Sequence, residues 1–262
     1  MAAIRNAARE KLEKGELSLG CGVRMMRSVE VGVAMKSAGF DWLFIDCEHG
    51  TMSLDAAAQI AVAALDAGIA PIVRVPNGEY SMATRVLDNG ALGIVMPHVD
   101  TADEAAEVVQ KLKYPPVGHR SMGGIGPHYS LRTAKSAEAA SALNAANLTV
   151  VMLETPKAIA NADAIAAVPG VDVLLIGTND LCAEMGIHGD FGNAMITEAY
   201  QAMIAACKRH IKFPGMAGIY NEELMARYIG LGARFILSGN DAAFLTASAT
   251  ARAGALRKMH AS

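Results

Sequence analysis

The chain has 262 residues, 52% of them hydrophobic and 19% charged, with a net charge of −3. That length suits one α/β barrel, and the apolar content supplies a large core and excludes a disordered chain. The slight acidity and the lack of any Lys/Arg run exclude the basic face that nucleic acid or an anionic membrane would need.

The N-terminal stretch MAAIRNAAREKLEKGE alternates alanine with charges and lacks the apolar core of a signal peptide. No stretch approaches the roughly 18 uncharged apolar residues of a membrane span. Cys21, Cys47, Cys182 and Cys207 show no CxxC spacing and read as reduced thiols. A soluble, cytoplasmic protein is the expectation.

In chain order, the first predicted strand is Leu17–Val23, followed by a helix over Val29–Ala38. The second unit is Trp42–Asp46 and then Leu54–Ala67, with Ser53 as N-cap; its strand runs out in FIDCEHG, leaving Asp46, Glu48 and His49 at the strand end. The third is Ile72–Val75, carrying Arg74, with a helix over Ala83–Asn89. The fourth is Gly93–Met96 and Ala102–Leu112, the helix opened by Thr101 with Glu104 three residues on. His98, between them at a strand end, could line the pocket but reads as a packing residue. Tyr114–Ser130 (YPPVGHRSMGGIGPHYS) then breaks the rhythm; it is too long for an ordinary connection and reads as a functional loop, with His119 and His128 solvated on it.

The fifth unit is Thr149–Leu153, closed by Glu154, with one helix over Lys157–Ala166. The sixth is Val171–Ile176, followed by Asp180 in LLIGTND and a helix over Glu198–Arg209. Gly215–Gly218 with Glu222–Ile229, capped by Asn221, is the seventh, and Phe235–Leu237 with Ala242–Arg257 the eighth. Gly39, Gly68, Gly90, Gly170 and Gly232 stand where helices end, as a left-handed C-cap requires.

Most of these strands are continuous apolar runs, which means burial on both faces and parallel pairing. Eight βα units favour a (β/α)8 (TIM) barrel; a doubly wound open sheet would also give the alternation. In a barrel the strand ends converge on one face, where barrel active sites lie. Two acids, an arginine and an acid–histidine group from four strands therefore meet in one pocket.

Glu154 and Asp180, from neighbouring strands, suit a Mg²⁺ or Mn²⁺ ion that keeps open positions for water and a 2-oxo acid. Singly, Glu154 could instead pair with Lys157, and Asp180 could cap the next helix. Asp46 within reach of His49 would fix the imidazole's tautomer for proton transfer through a bound water. Arg74, on an apolar strand, suits a carboxylate or phosphate, or an internal ion pair. No lysine stands at a strand end, which argues against a Schiff-base aldolase, and the glycine-rich loop lacks the GxxxxGK[ST] and GxGxxG phosphate signatures.

Read in order, FDWLFIDCEHG, APIVRVP, VMPHVDTADEA, YPPVGHRS, LETPKAIANADAIAAVPGVDVLLIGTNDL and GARFILSG resemble the metal-dependent (class II) pyruvate aldolases of the HpcH/HpaI type over roughly residues 5 to 245. That family includes 2,4-dihydroxyhept-2-ene-1,7-dioate aldolase, 2-keto-3-deoxyglucarate aldolase and macrophomate synthase. The resemblance implies a single barrel of the phosphoenolpyruvate/pyruvate type over 1–262. It implies an aldehyde-lyase that cleaves 4-hydroxy-2-oxo acids to pyruvate and an aldehyde, and runs the reverse addition.

It further implies Glu154 and Asp180 as ligands of Mg²⁺, Mn²⁺ or Co²⁺, and Arg74 as the group holding pyruvate oxygens. His49 is then the acid/base oriented by Asp46, Glu48 a support for metal-bound water, and the amides of Gly177, Thr178 and Asn179 the pyruvate carboxylate site. It implies a homohexamer, a trimer of dimers, with the helix at about 240–260 exchanged between subunits. The chain departs from the family's usual pattern at Cys47, Met152, Thr178 and Asn179, where Gly, Gln and the PA of GPADL are common. A citrate- or malyl-CoA-type lyase shares the barrel and the two acids but needs a basic surface for CoA phosphates, which the sequence lacks. A non-catalytic barrel acting as a binding protein is the alternative from another class.

Overall fold

Eight apolar runs pair side by side in chain order and close on themselves in the computed structural model, which describes residues 4–124 and 126–261. The strands are β1 (Ser18–Val23), β2 (Trp42–Asp46), β3 (Ala70–Arg74), β4 (Gly93–Met96), β5 (Leu148–Leu153), β6 (Val173–Gly177), β7 (Phe213–Ala217) and β8 (Phe235–Asn240). Every neighbouring pair is parallel, β8 returning to β1. The expected (β/α)8 barrel is therefore the fold; Met1–Ala3, Ile125 and Ser262 of the expected 1–262 span lie outside the described residues.

Strand side chains alternate between two cores, because successive residues face opposite sides of a strand. Leu43, Ile45, Val73, Ile94, Val151 and Leu174 point outward and pack under the helices. Trp42, Phe44, Ile72, Val150, Leu175 and Phe235 fill the barrel interior. The Trp42 indole stacks on Phe235 with centroids 3.9 Å apart and donates to the Ser18 carbonyl at 3.2 Å, plugging the lower end. Only glycine fits at position 20, since a Cβ there would run into that indole.

The helices are α1 (Ala7–Glu13), α2 (Glu30–Ser37), α3 (Leu54–Ala67), α4 (Tyr80–Asp88), α5 (Ala102–Leu112), α6 (Ser136–Ala146), α7 (Pro156–Ala160), α8 (Ala162–Ala167), α9 (Thr178–Glu184), α10 (Ala194–His210), α11 (Glu222–Leu231) and α12 (Asp241–Ala261). The Ser53 cap and the Thr101/Glu104 capping box form as the sequence indicates. The single helix expected over Lys157–Ala166 is instead two. Asn161 sits at the break, and its side-chain amide donates to the Asp100 carbonyl at 2.8 Å. Such side-chain bonding to backbone competes with helix continuation.

The described residues of the Tyr114–Ser130 segment follow a helix and lie beneath the barrel, on the face opposite the strand ends that carry the acids. Buried Arg120 pairs with Asp88 at the end of α4, and His128 Nε2 lies 3.0 Å from the Ala91 carbonyl just before β4. This places the loop and corrects one expectation. Within this chain the loop does not reach the candidate site, and His128 is packed against the barrel rather than solvated, with burial holding its pKa below the usual imidazole range. His119 is exposed, as expected. α12 leaves the barrel with Leu245 and Leu256 half-exposed. No helix among the described residues is long and apolar enough to cross a membrane.

Candidate active site

Strand register builds the first half of the site. Asp46 ends β2 and is paired in the sheet with Arg74, which ends β3. Neighbouring strand ends therefore set a carboxylate beside a guanidinium. Arg74 Nε donates to Asp46 Oδ1 at 3.0 Å and Nη2 to Oδ2 at 2.7 Å, a bidentate pair with both side chains buried. Arg74 Nη1 lies 3.0 Å from Glu48 Oε2, and the guanidinium sits 5.0 Å over the Phe44 ring. Burial pushes the Asp46 pKa up, but hydrogen bonds and charge from Arg74, with backbone donors from His49 and Glu48, hold it below the ordinary carboxylate range. Burial likewise opposes the charge on Arg74, and Asp46 outweighs it, so the pair is ionised.

One expected contact is replaced. Asp46 does not meet the His49 imidazole. Its Oδ1 accepts from the backbone N–H groups of Glu48 and His49, each at 3.1 Å. An aspartate three residues before a turn position reaches that turn's amides, while the ring is carried outward. His49 is 56% exposed, and its Nε2 lies 3.9 Å from Glu48 Oε2.

The second half comes from β5 and β6. Glu154 follows Leu153 and is buried; its Oε2 accepts from the His98 backbone N–H at 2.8 Å and lies 3.2 Å from His98 Nδ1. His98 is half-exposed rather than packed away, with φ of 53°, a left-handed conformation uncommon outside glycine. Glu154 Oε1 is buried with no hydrogen-bond partner among the described residues. Burial, with Asp180 adding to it and His98 and Arg74 opposing, pushes the Glu154 pKa up to about 7.

Gly177 closes β6 against Glu154, and a Cβ there would collide with Oε1. Thr178 turns its hydroxyl into the wall, donating to the Ala217 carbonyl at 2.7 Å with the Tyr200 hydroxyl at 2.9 Å. Asn179 and Asp180 are exposed to the cavity on the first turn of α9.

The cavity encloses about 200 Å³ at the C-terminal ends of the strands. Asp46, His49, Arg74 and Gly177 to Asp180 all line it, against apolar Phe44, Met152 and Leu237. Arg24, Tyr220 and Asn240, which the sequence reading missed, stand at the same opening. Arg24 satisfies the criterion that singles out Arg74 and Glu154, since it lies at the end of β1. Tyr220 and Asn240 are themselves uncharged, and the strand-end rule as applied looked only for acids, arginine and histidine.

Among the described residues no group of three or more His, Cys, Asp or Glu is placed to hold a metal. The two carboxylates nonetheless fit a hard cation. Such an ion takes oxygen donors, needs only one or two carboxylates when water and substrate complete its shell, and would satisfy the orphaned Glu154 Oε1.

The model of the HpcH/HpaI aldolase/citrate lyase family matches residues 31–252. The chain belongs to this family. Over 260 residues it is 43% identical to the 4-hydroxy-4-methyl-2-oxoglutarate aldolase tasA of Hapsidospora irregularis, covering 98% of this chain and 96% of that one. It is 35% identical to a hydroxypyruvate/pyruvate aldolase of Agrobacterium fabrum, over 92% of this chain and 90% of that one. The crystal structure of an HpcH/HpaI aldolase from Desulfitobacterium hafniense superposes with a TM-score of 0.90 at 26% identity, covering 97% of each chain. Membership of an aldolase/lyase family agrees with a polar, small-molecule-sized cavity at the mouth of the barrel.

Proposed function

We propose that this chain is a divalent-metal-dependent aldolase that cleaves 4-hydroxy-2-oxo acids to pyruvate and a carbonyl fragment, and catalyses the reverse addition. The observation that carries the reading is the buried, unpartnered Glu154 oxygen packed directly behind Gly177, which lines one cavity with Asp180 and with an Arg74 held rigidly by Asp46. Aldolase relatives support it, one of which acts on a member of that substrate class.

Glu154 and Asp180 would hold Mg²⁺, Mn²⁺ or Co²⁺, which when bound supplies Lewis-acid stabilisation of negative charge at the 2-oxo oxygen. The chain's own groups do the rest. Backbone amides of Gly177, Thr178 and Asn179 take the pyruvate carboxylate where α9 begins. Arg74, preorganised by two hydrogen bonds to Asp46, directs N–H groups at the oxygen that becomes negative. Glu48 supports bound water.

His49, with its ring unburdened by Asp46, accepts the C4 hydroxyl proton. The C3–C4 bond breaks, its electron pair stays on C3, and C4 becomes a carbonyl. Protonation at C3 then gives pyruvate. Pyruvate release from a panel of 4-hydroxy-2-oxo acids, with and without EDTA, tests this in wild type and His49→Ala. The variant should keep pyruvate affinity and lose turnover by about 10²–10⁴-fold, as for a general base. No release by wild type from any such acid would defeat the reading, and unchanged turnover in His49→Ala would remove that residue from it.

The same reading gives a homohexamer built as a trimer of dimers, with α12 packed on a neighbouring subunit; half-exposed Leu245 and Leu256 on that helix support it. Sedimentation equilibrium should return the mass of six chains, and removal of residues 242–262 should lower it. A monomer in the intact protein would contradict the assembly.

A further inference from the structure

The cavity holds a second guanidinium that the proposed chemistry leaves unused. Arg24 is the first residue after β1 and stands at the cavity mouth beside Tyr220 and Asn240. Its backbone is pinned. The amide of Arg24 donates to Asp241 Oδ1 at 3.1 Å, that of Met25 to both carboxylate oxygens at 3.2 and 3.0 Å, and that of Met26 to Oδ2 at 2.6 Å. Asp241 itself is buried. The side chain is anchored only at its near end, where Nε lies 3.3 Å from Asp46 Oδ2. Among the described residues its Nη1 and Nη2 donate no hydrogen bond, and the side chain is 48% exposed.

Arg74 Nη2 lies 2.7 Å from the same Asp46 oxygen. Two guanidiniums therefore flank one carboxylate, and Arg24 Nε and Arg74 Nη2 can be no further apart than those two contacts laid end to end. A planar fork with unfilled donors is matched to a carboxylate. Asp46 and Asp180 also line this opening and would otherwise repel an anionic acceptor group.

We infer that Arg24 binds a carboxylate carried on C4 of the substrate, so the site selects 4-hydroxy-2-oxo dicarboxylic acids whose carbinol carbon itself bears the second carboxylate. This rests on the aldolase reading above and names its specificity residue. In cleavage the released fragment is then a 2-oxo acid, and in synthesis the acceptor is a 2-oxo acid rather than a neutral aldehyde. The closeness of the two guanidiniums sets the chain length. The C2 oxygen held by Arg74 and a carboxylate on C4 are a short span apart, whereas a carboxylate at the end of a longer tail would pass Arg24 into solvent.

The test compares kcat/KM for 4-hydroxy-2-oxoglutarate and for 4-hydroxy-2-oxopentanoate, which carries a neutral methyl on C4, in wild type, Arg24→Lys and Arg24→Gln. The readout is the ratio of the two values. Wild type should favour the dicarboxylate. Arg24→Gln should cut that ratio about 10- to 100-fold, as expected when a charged hydrogen-bond partner is removed, and Arg24→Lys should fall between. A structural role would lower both values together and leave the ratio unchanged; that result, or a wild type without preference, overturns the assignment. Deuterium exchange into pyruvate separates the two layers. A wild type that releases no pyruvate from either acid and does not exchange the pyruvate methyl protons refutes the aldolase reading, and the assignment with it.

Discussion

The double variant Glu154→Gln, Asp180→Asn is expected to release no measurable pyruvate while remaining folded. Lewis-acid stabilisation is worth several kcal/mol, and about 1.4 kcal/mol is tenfold in rate, so the loss should reach at least about 10³-fold. Metal retained after gel filtration should fall to background. Stability supplies a second readout. Glu154 has its pKa raised to about 7, chiefly by burial, so its ionised form is disfavoured in the folded state. A carboxylate of this kind costs nothing below its unfolded pKa and progressively destabilises as pH rises through the folded value. Without metal, the variant should match wild type near pH 4 and exceed it by about 1–3 kcal/mol at pH 8. The amide introduced by Glu154→Gln keeps a carbonyl oxygen for the His98 backbone N–H, so the local backbone has no reason to move. Full activity in the metal-free variant would exclude the two acids as ligands.

Arg74 should fail in two separable ways. Arg74→Lys keeps a positive charge but loses the fork that makes two bonds to Asp46, and turnover and exchange of the pyruvate methyl protons should drop by about 10²–10³-fold, the scale of one lost charge-stabilising donor. Arg74→Met strands a buried carboxylate and should cost about 3–5 kcal/mol of stability at neutral pH. The pH dependence fixes the cause. In wild type the folded Asp46 pKa lies below its ordinary range, so its contribution is present above the unfolded pKa and lost as pH falls through the folded one. The stability gap between wild type and Arg74→Met should therefore be widest at neutral pH and narrow in acid. A gap that stays constant down to pH 3 would mean lost packing on Phe44. Pyruvate exchange equal to wild type in Arg74→Lys would leave the residue structural.

The barrel was legible because each strand is a nearly unbroken apolar run. Trp42–Asp46 and Gly93–Met96 end where the sequence indicates, as do the helices Leu54–Ala67 and Ala102–Leu112. α1, α6 and α9 were not legible. α1 is seven residues of mixed charge, held by contacts distant in sequence: the Asn6 amide donates to Leu92 and Ala146 carbonyls at 3.0 and 2.8 Å beneath the barrel. α6 buries mainly alanines, which give little periodic signal.

At the site, the strand-end rule found the acids and Arg74 because the β2–β3 register places Asp46 beside Arg74. It could not say which partner Asp46 would take. Spacing alone suggested His49; the lateral neighbour across the sheet won, because a buried guanidinium needs the carboxylate more than an exposed imidazole does. The direction of the Tyr114–Ser130 loop follows from βα order, since a segment after a helix emerges at the strand starts, and composition alone conceals that.

The grip of Asp241 on the amides of Arg24 to Met26 has a bearing on how the protein is made. A nascent chain emerges from the ribosome at about 5–20 residues per second, N-terminus first. The loop after β1 is synthesised early, yet its anchor is the opening residue of the last helix. The Arg24 turn cannot be locked until residue 241, 217 positions further along the chain, has been made. A chain cut short before residue 241 would lack the carboxylate that holds the rim of the pocket in place.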